Sequence, residues 1–229
     1  MSGKIIPIWK NETVWIIGGG PSILKQFNIP DDIINGVKQK TLPMSRLSRF
    51  MKSLRHQHVI GINAAYLLGN WVDIVFFHDE VFFQAHKETL LKHPGRLMTC
   101  NNRFLNRPEE RVEYIPKDRT KVLGIHSDAT KISWNYNSGA AAISLAAHLG
   151  AKRIILLGFD MGGGPTPETH FHTEHSGYLK TPPPFWKHLV GFPVIQNDAN
   201  ERGIEIINCS PESAIQEFPK MSVKEALKL

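Results

Sequence analysis

Residues 13–22 read TVWIIGGGPS, an apolar run of five residues followed at once by three glycines, a proline and a serine. A short apolar run of this kind is typical of a buried strand, and glycines at its end let the backbone turn sharply. Similar runs recur along the chain and are also predicted to be strands: residues 59–62, 72–77, 96–99, 122–125, 153–157 and 203–207.

Helical patterns separate these runs, and they are predicted at residues 80–93, 138–149 and 185–200. The Ala-rich segment 138–149 follows a capping Asn137 and stops at Gly150, which are typical helix boundaries. Strands that alternate with helices indicate an α/β fold. We therefore expect a Rossmann-like, mostly parallel sheet flanked by helices, in a single domain spanning residues 1–229.

The positive charge of the chain is local. There are 27 Lys and Arg residues against 21 Asp and Glu residues, a net charge of +6. The whole excess lies in residues 36–58, which hold no acidic residue and six basic ones: Lys38, Lys40, Arg46, Arg49, Lys52 and Arg55. Apolar residues at helical spacing in 44–54 predict an amphipathic helix here. We interpret 36–58 as a basic helical insertion. Its role is open: it could be a solvated helix face, a lid over a nucleotide, a membrane-surface helix or a nucleic-acid contact.

The composition excludes several classes of protein. No apolar run approaches the roughly 20 residues that a membrane-spanning helix needs. Two cysteines are too few for a disulfide-rich scaffold or a cysteine-based zinc site. The N-terminal residues lack the apolar core and cleavage site of a secretory signal. We expect a soluble cytoplasmic protein without a membrane span.

The glycine-rich turn is the first candidate site, with residues Gly18, Gly19, Gly20, Pro21 and Ser22. Backbone amides at a turn from strand to helix favour phosphate. The turn is not a Walker loop, because no Lys-Ser/Thr pair follows, and it is not a dinucleotide fingerprint, because Ile23 replaces the third glycine. Phosphate binding is the prediction, and a purely structural turn is the alternative.

Polar residues follow most of the predicted strands, and they form the second candidate site: Ser22, Asn63, His78, Asp79, Asn101, Asn102, Asp160 and Asn208. In an open parallel sheet, ligands bind outside the carboxyl ends of the strands. The structural alternative for such residues is to cap the next helix. Their concentration around one glycine-rich turn predicts a pocket.

The third candidate site lies in the long segment 161–184, which we interpret as an active-site loop. It contains three of the 11 histidines of the chain within six residues: His170, His172 and His175. Histidine titrates near neutral pH, so one of them could act as a general base for a hydroxyl acceptor. The alternatives are a metal site completed by Asp160 or Glu174, and ordinary surface histidines.

Five segments in order, WIIGGGPSI, VIGIN, NSGAAAISLAAHLGAKRIILLGFDM, HFHTEH and IINCSPESAIQEFP, resemble one family. This family joins proteins similar to 6-hydroxymethylpterin pyrophosphokinase with bacterial sialyltransferases that modify lipooligosaccharides. The chain looks closest to short members encoded by bacteriophages, which would place it in the host cytoplasm. The resemblance covers residues 14–227, and its specific parts are GGGPS and LGFDM with the preceding SG helix.

The resemblance implies a transferase that moves a sugar from a nucleotide-sugar donor to a hydroxyl acceptor. It implies that Gly18, Gly20, Pro21 and Ser22 hold the donor phosphate and that Asn63 contacts the nucleotide sugar. Ser138 and Gly139 would lie beside the nucleoside, and Asp160 of LGFDM is counted with the nucleotide- or phosphate-binding residues. A histidine among residues 170–175, His172 or His175 before His170, would be the base.

Two other functions stay open at this point. The first is pyrophosphoryl transfer from ATP, which needs Mg²⁺ and carboxylates such as Asp79 and Asp160. The second is a non-catalytic phage accessory protein that contacts nucleic acid through residues 36–58. On the leading hypothesis the chain needs no metal, and its partner is a nucleotide-activated small molecule.

Overall fold

The structure of the protein is a computed structural model that describes residues 4–107, 110–162, 169–174 and 183–229. In this part of the chain one sheet contains the strands β1 (Thr13–Ile17), β2 (His58–Ile62), β3 (Ile74–Phe77), β4 (Arg96–Thr99), β5 (Val112–Tyr114), β6 (Arg153–Leu157) and β7 (Glu205–Asn208). The strand order is β5-β4-β3-β2-β1-β6-β7, and every neighbouring pair is parallel. The expected Rossmann-like parallel sheet is confirmed.

Helices cover both faces of this sheet: α1 (Ser22–Gln26), α2 (Asp31–Lys38), α3 (Glu80–Lys92), α4 (Ser138–His148), α5 (Phe185–Leu189), α6 (Phe192–Glu201) and α7 (Val223–Ala226). Side chains of β1 alternate between the two layers. Val14 and Ile16 pack with α4 and α6, whereas Trp15 and Ile17 pack with α1, α2 and α3. The continuous apolar run of β1 therefore reflects burial on both faces.

The strand order reverses at β1, which pairs with β2 on one side and with β6 on the other. From β1 to β5 the chain moves outward in one direction, and then it crosses back to build β6 and β7 on the far side. Such a reversal separates the loops that follow the two central strands and opens a crevice at their carboxyl ends. The fold thus positions a site between the β1 loop and the β6 loop.

The strand predicted at residues 122–125 is wrong. Its backbone bonds to side chains and to a neighbouring loop instead of to a strand: the Gly124 amide donates to Asn135 Oδ1 at 2.7 Å, and the Ile125 amide donates to Asp198 Oδ2 at 2.6 Å. The sheet edge is formed instead by β5, a strand of three residues that the sequence analysis missed.

The single helix predicted at residues 185–200 is two helices, α5 and α6, which are separated at Val190 and Gly191. Pro193 lies in the first turn of α6, where its missing amide costs nothing. A helix that ran through this proline would lose a hydrogen bond and clash with the preceding turn. The helices predicted at 80–93 and 138–149 are confirmed as α3 and α4.

The basic segment 36–58 is helical but not one α-helix. After α2 it forms two 3₁₀ helices, Met44–Arg49 and Lys52–Leu54. Its apolar side chains Met44, Leu47, Met51 and Leu54 are buried in the core that α1, α2 and α3 share. The first 3₁₀ helix packs against α2 and against a further 3₁₀ helix, Asn63–Leu68. The segment is therefore a fixed part of the domain.

Truncation of Leu47 tests this packing. Leu47 is fully buried, so Leu47→Ala should lower the free energy of unfolding by about 2–4 kcal/mol in urea denaturation. The matched control is Arg49→Ala in the same 3₁₀ helix, where the side chain is exposed. It should change stability by less than about 0.5 kcal/mol. Equal effects of the two substitutions would contradict a packed segment.

Candidate functional site

A cavity of about 340 Å³ opens where β1 and β6 end. Its walls include ten residues that the sequence analysis selected: Gly18, Gly19, Gly20, Asn63, Asp79, Ser138, Gly139, Asp160, His170 and His172. Other predicted residues do not line it: Pro21, Ser22, His78, Asn101, Asn102 and Asn208. His175 lies outside the described residues. The structure thus brings the glycine turn, the start of α4 and the histidine loop to one place.

Aromatic residues make up a part of the wall that the sequence analysis missed: Trp134, Tyr136, Phe159 and Phe185, together with His188. Trp134 and Tyr136 come just before α4, and Phe185 begins α5. The sequence offered only a local signal, the position of Trp134 and Tyr136 just before Asn137, which caps a helix that starts at the end of the sheet. Flat rings in a cavity offer stacking surfaces to a planar or sugar-containing ligand.

The amides of the glycine turn are largely used inside the protein. Gly18 donates to the Leu157 carbonyl at 2.8 Å, Gly20 donates to the Gly158 carbonyl at 2.8 Å, and Ser22 donates to Asp160 Oδ2 at 2.9 Å. Pro21 has no amide hydrogen. A phosphate could therefore not be held by a full set of amides from this turn, and the predicted binding mode needs another source of donors.

The glycines are required by close packing of the two loops. A Cβ atom on Gly18 or Gly20 would lie 2.7 Å from the Gly158 carbonyl oxygen, and one on Gly19 would lie 2.6 Å from the His170 ring. Contacts below 3.0 Å are not tolerated. The glycine run is explained by the approach of the β1 loop to the β6 loop and the histidine loop.

Asp160 joins the β6 loop to the glycine turn and faces the cavity. Its exposed fraction is 7%, and Oδ1 has no hydrogen-bond partner in the described part of the chain. Burial raises the pKa of Asp160, and the hydrogen bond from the Ser22 amide opposes this only in part. A carboxylate oxygen without a hydrogen-bond partner can accept from a hydroxyl or amino group of a ligand, and its negative charge repels phosphate.

The start of α4 supplies donors for an anion. Asn137 caps the helix, with Oδ1 accepting from the Ala140 amide at 2.7 Å. Its Nδ2 atom donates to the carbonyls of Asn135 and His188, each at 3.2 Å, which fixes the cap in place. Ser138 and Gly139 form the first turn and line the cavity. The first-turn amides and the helix dipole favour negative charge at this wall.

Left-handed backbone conformations are found around the cavity at residues other than glycine. Asn63, Tyr136 and Met161 have φ of 49°, 60° and 50°, and all three line the cavity. This conformation is costly for residues such as Tyr and Met, and it persists where surrounding structure enforces it. In addition, Asn63 Oδ1 is buried without a hydrogen-bond partner among the described residues. Both features are typical of a binding site.

Two histidines of the loop line the cavity with their ring centroids 5.4 Å apart. Burial lowers the pKa of His170, so this ring is neutral at pH 7, and its Nδ1 lies 2.9 Å from Thr169 Oγ1. His172 is buried, and its Nδ1 accepts from the Glu174 amide at 3.3 Å. The Phe171 amide donates to the Gly19 carbonyl at 2.8 Å, which ties the histidine loop to the glycine turn.

A second polar cluster borders the cavity at Trp134. The ring of His78 lies 4.0 Å from that of Trp134, and Lys117 Nζ lies 2.7 Å from His78 Nε2. Burial and the Lys117 charge lower the pKa of His78 to about 4. His78 is therefore neutral at pH 7 and supports the back of the Trp134 ring.

Two expectations about the surroundings of the cavity find no support. The described residues contain no group of three or more His, Cys, Asp or Glu side chains that could hold a metal ion, although Asp79 and Asp160 both line the cavity. No residue of 36–58 lines the cavity, so the basic segment does not act as its lid. Within the described residues, no helix has the length and apolar character needed to span a membrane.

No protein-family model and no curated protein matches the sequence, but solved structures match its fold. The sialyltransferase CstII from Campylobacter jejuni, in complex with cytidine-5'-monophosphate, has a TM-score of 0.53 and 15% identity over 93% of this chain and 86% of that chain. A single-residue variant of Cst-II in complex with CMP has a TM-score of 0.52 and 16% identity over 92% and 86%.

A third structure is the MAf glycosyltransferase from Magnetospirillum magneticum AMB-1, with a TM-score of 0.56 and 15% identity over 96% of this chain and 35% of that chain. This chain thus spans about a third of that enzyme. This chain shares its α/β fold with these structures. At such identities the likeness concerns the fold, and the chemistry has to be argued from the cavity.

The buried carboxylate gives a prediction about stability. Because burial raises the pKa of Asp160, its ionised form destabilises the fold at pH 7, and this cost disappears as the pH falls below the folded-state pKa. In Asp160→Asn the amide oxygen can still accept from the Ser22 amide. The variant should therefore have a higher free energy of unfolding than the wild type at pH 7 and an equal one below about pH 3.9, measured by urea denaturation across pH.

The matched control is Glu201→Gln, which removes an exposed carboxylate that does not line the cavity. The free energy of unfolding of this variant should stay close to that of the wild type at every pH. Two results would contradict this prediction: Asp160→Asn being less stable than the wild type at pH 7, or a difference in the free energy of unfolding that does not change with pH. Either would show that burial does not destabilise the ionised Asp160 carboxylate.

Proposed function

We propose that the protein is a glycosyltransferase that moves a sugar from a nucleotide-sugar donor to a hydroxyl acceptor. The observation that carries the proposal is the cavity at the strand-order reversal, where one wall is the start of α4 and another is the neutral His170. The fold supports it, since similar structures are a sialyltransferase in complex with CMP and a glycosyltransferase.

The two polar walls of the cavity assign an orientation to the donor. The start of α4 suits the phosphate, because Ser138 and Gly139 line the cavity and no acidic side chain occupies that turn. Asp160 suits the nucleoside or sugar hydroxyls, because an open carboxylate oxygen accepts from hydroxyl groups and repels phosphate. The glycine turn then supplies close backbone approach, and Asn63 Oδ1 supplies a further acceptor.

His170 is the proposed base. If Nδ1–H of this ring donates to Thr169 Oγ1, the lone pair lies on Nε2, and burial keeps the ring unprotonated at pH 7. Nε2 takes the proton of the acceptor hydroxyl, the acceptor oxygen bonds to the sugar carbon, and the bond from that carbon to the phosphate oxygen breaks. The nucleotide leaves with the bonding electron pair, so no metal or other reactant is needed.

His172 is less suited to this role. Its Nδ1 accepts from the Glu174 amide, so this nitrogen is not available to take the proton of the acceptor hydroxyl. We assign His172 a donor role toward the leaving phosphate or the acceptor. His175, the other histidine favoured by the sequence, lies outside the described residues and stays a candidate for the base.

The two other functions remain weaker hypotheses. Pyrophosphoryl transfer would need Mg²⁺, for which Asp79 and Asp160 line the cavity, but the described residues contain no group of three or more His, Cys, Asp or Glu side chains that could hold an ion. The fold neighbours favour glycosyl transfer over this reaction. The relation to pterin pyrophosphokinases and to bacteriophage proteins, and a non-catalytic accessory role, stay predictions from the sequence.

Calorimetric titration with CMP, UDP, GDP and ATP tests the donor class. At least one nucleotide should bind in the presence of EDTA, and Asp160→Asn should weaken that nucleotide about tenfold, or about 1.4 kcal/mol. Glu201→Gln is the control and should bind as the wild type does. The proposal fails if no nucleotide binds the wild type, and binding that requires Mg²⁺ would favour pyrophosphoryl transfer.

The role of His170 is tested by release of nucleotide from the donor in water. His170→Gln should lower this rate by about 100-fold or more while nucleotide affinity is retained. In the wild type the rate should fall as the pH drops through the His170 pKa, and this limb should lie below the ordinary histidine value of about 6.5 because burial lowers the pKa. An unchanged rate in His170→Gln would move the base to His172 or His175.

A further inference from the structure

The charged side chains in the wall of the cavity are both acidic. Among the described residues that line it, Asp79 and Asp160 carry charge, and there is no Lys or Arg. His170 and His188 are neutral at pH 7, because burial lowers the pKa of both rings. In this wall, an anion is therefore favoured at the start of α4, where the first-turn amides and the helix dipole supply positive partial charge.

The Asp79 carboxylate is available to a ligand. Asp79 stands at the N-cap position of α3, but its side chain accepts no hydrogen bond from that helix. Among the described residues it has neither an ion-pair partner nor a side-chain hydrogen bond. The residue is exposed, and partial desolvation by the surrounding protein raises the pKa of its carboxyl. Both carboxylate oxygens can therefore accept hydrogen bonds from a ligand.

Asp79 and Asp160 lie on opposite sides of the cavity. Asp79 follows β3, Asp160 follows β6, and the strand order β3-β2-β1-β6 places two strands between them. Neighbouring strands lie about 4.8 Å apart, so the carboxyl ends of β3 and β6 are separated by about 14 Å. The two carboxylates therefore face different parts of a ligand that extends along the cavity.

The exposure of the two carboxylates indicates which part of the donor each one meets. Asp160 is 7% exposed and accepts from the Ser22 amide, whereas Asp79 is exposed. Because the acceptor has to reach the transferred sugar from solvent, the sugar belongs at the open side of the cavity and the nucleoside at the closed side. With the phosphate at the start of α4, the sugar then lies toward Asp79.

A carboxylate on the transferred sugar would have no matching group in this part of the wall. The phosphate occupies the start of α4, and Asp79 would place a like charge beside the sugar. Juxtaposed like charges weaken binding, whereas a hydroxyl or ammonium group donates a hydrogen bond to a carboxylate. The wall therefore favours sugars that carry donors and no acid.

We propose that the protein uses a donor whose sugar carries no carboxylate, and that Asp79 selects this class by accepting from hydroxyl or amino groups of the sugar. This inference rests on the proposed glycosyl transfer. Sialic acid carries a carboxylate, so the inference separates this chain in substrate class from the sialyltransferases that share its fold.

Donors that share a nucleotide and differ in the sugar carboxylate test the inference, by calorimetric titration in the presence of EDTA. Each nucleotide that binds the wild type is tested as one pair. The pairs are UDP-glucose or ADP-glucose against the corresponding glucuronate, GDP-mannose against GDP-mannuronate, and the methyl ester of CMP-N-acetylneuraminate against the free acid. The wild type should bind the member without a carboxylate about tenfold or more tightly than the acidic member.

Substitution of Asp79 should change this preference. In Asp79→Asn the amide keeps the size and one accepting oxygen but not the charge, so the two donors should bind within about threefold of each other. Asp79→Glu keeps the charge and should keep a preference for the member without a carboxylate. The matched control is Asp32→Asn, which removes an exposed carboxylate from the first turn of α2 outside the cavity and should keep the wild-type ratio.

Three results would overturn the inference: a wild type that binds the acidic donor as tightly as its partner or more tightly, a preference that Asp79→Asn leaves unchanged, or an equal loss of preference in Asp32→Asn. Each of them would leave the proposed glycosyl transfer standing, because a nucleotide donor still binds. Absence of nucleotide binding in the wild type would instead overturn the proposed function itself.

Discussion

The close approach of the β1 loop to the β6 loop is the constraint on which the site depends. Gly18 and Gly20 donate to the backbone that begins the β6 loop, and the Ser22 amide donates to Asp160 at its end. A side chain on either glycine would collide with the Gly158 carbonyl oxygen. The same contacts place Asp160 in the cavity wall, and Gly19 accepts from Phe171 and so holds the histidine loop. One set of bonds therefore joins both loops and forms this part of the cavity wall from protein contacts alone.

This constraint gives the glycines at 18–20 a packing role in place of the phosphate-binding role predicted from the sequence. The sequence analysis assigned these glycines to phosphate, since a glycine turn after a strand commonly supplies amides to an anion. The amides of Gly18, Gly20 and Ser22 are instead used by the protein, and the remaining helix start at the cavity is that of α4. Local sequence cannot distinguish a turn that binds a ligand from a turn that binds another loop, because both need the same absence of side chains.

Those elements whose pattern is local could be predicted from the sequence, and those decided by distant contacts could not. β1 and β6 are buried apart from their first residues, and α4 has its own cap at Asn137, so their bounds follow from the residues themselves. Residues 122–125 are as apolar as a strand, but Asn135 and Asp198 take up their amides from far along the chain. In the site, polar strand ends were found by position, whereas the aromatic wall was missed because Trp134 and Tyr136 have no periodic signal.

The acidic and basic side chains of this protein lie in different places, the cavity and the segment 36–58. Among the described residues that line the cavity there is no Lys or Arg, and the charged side chains there are Asp79 and Asp160. A phosphate bound there would be met by the helix dipole and neutral donors, which stabilise an anion less than a fixed cation does and so allow a product nucleotide to leave. The cations of residues 36–58 do not line the cavity, and the apolar side chains of that segment are buried in the core. A cation inside the cavity would disfavour protonated His170, but burial already keeps this ring neutral at pH 7 without one. The net charge of the chain therefore does not describe the surroundings of a ligand in the cavity.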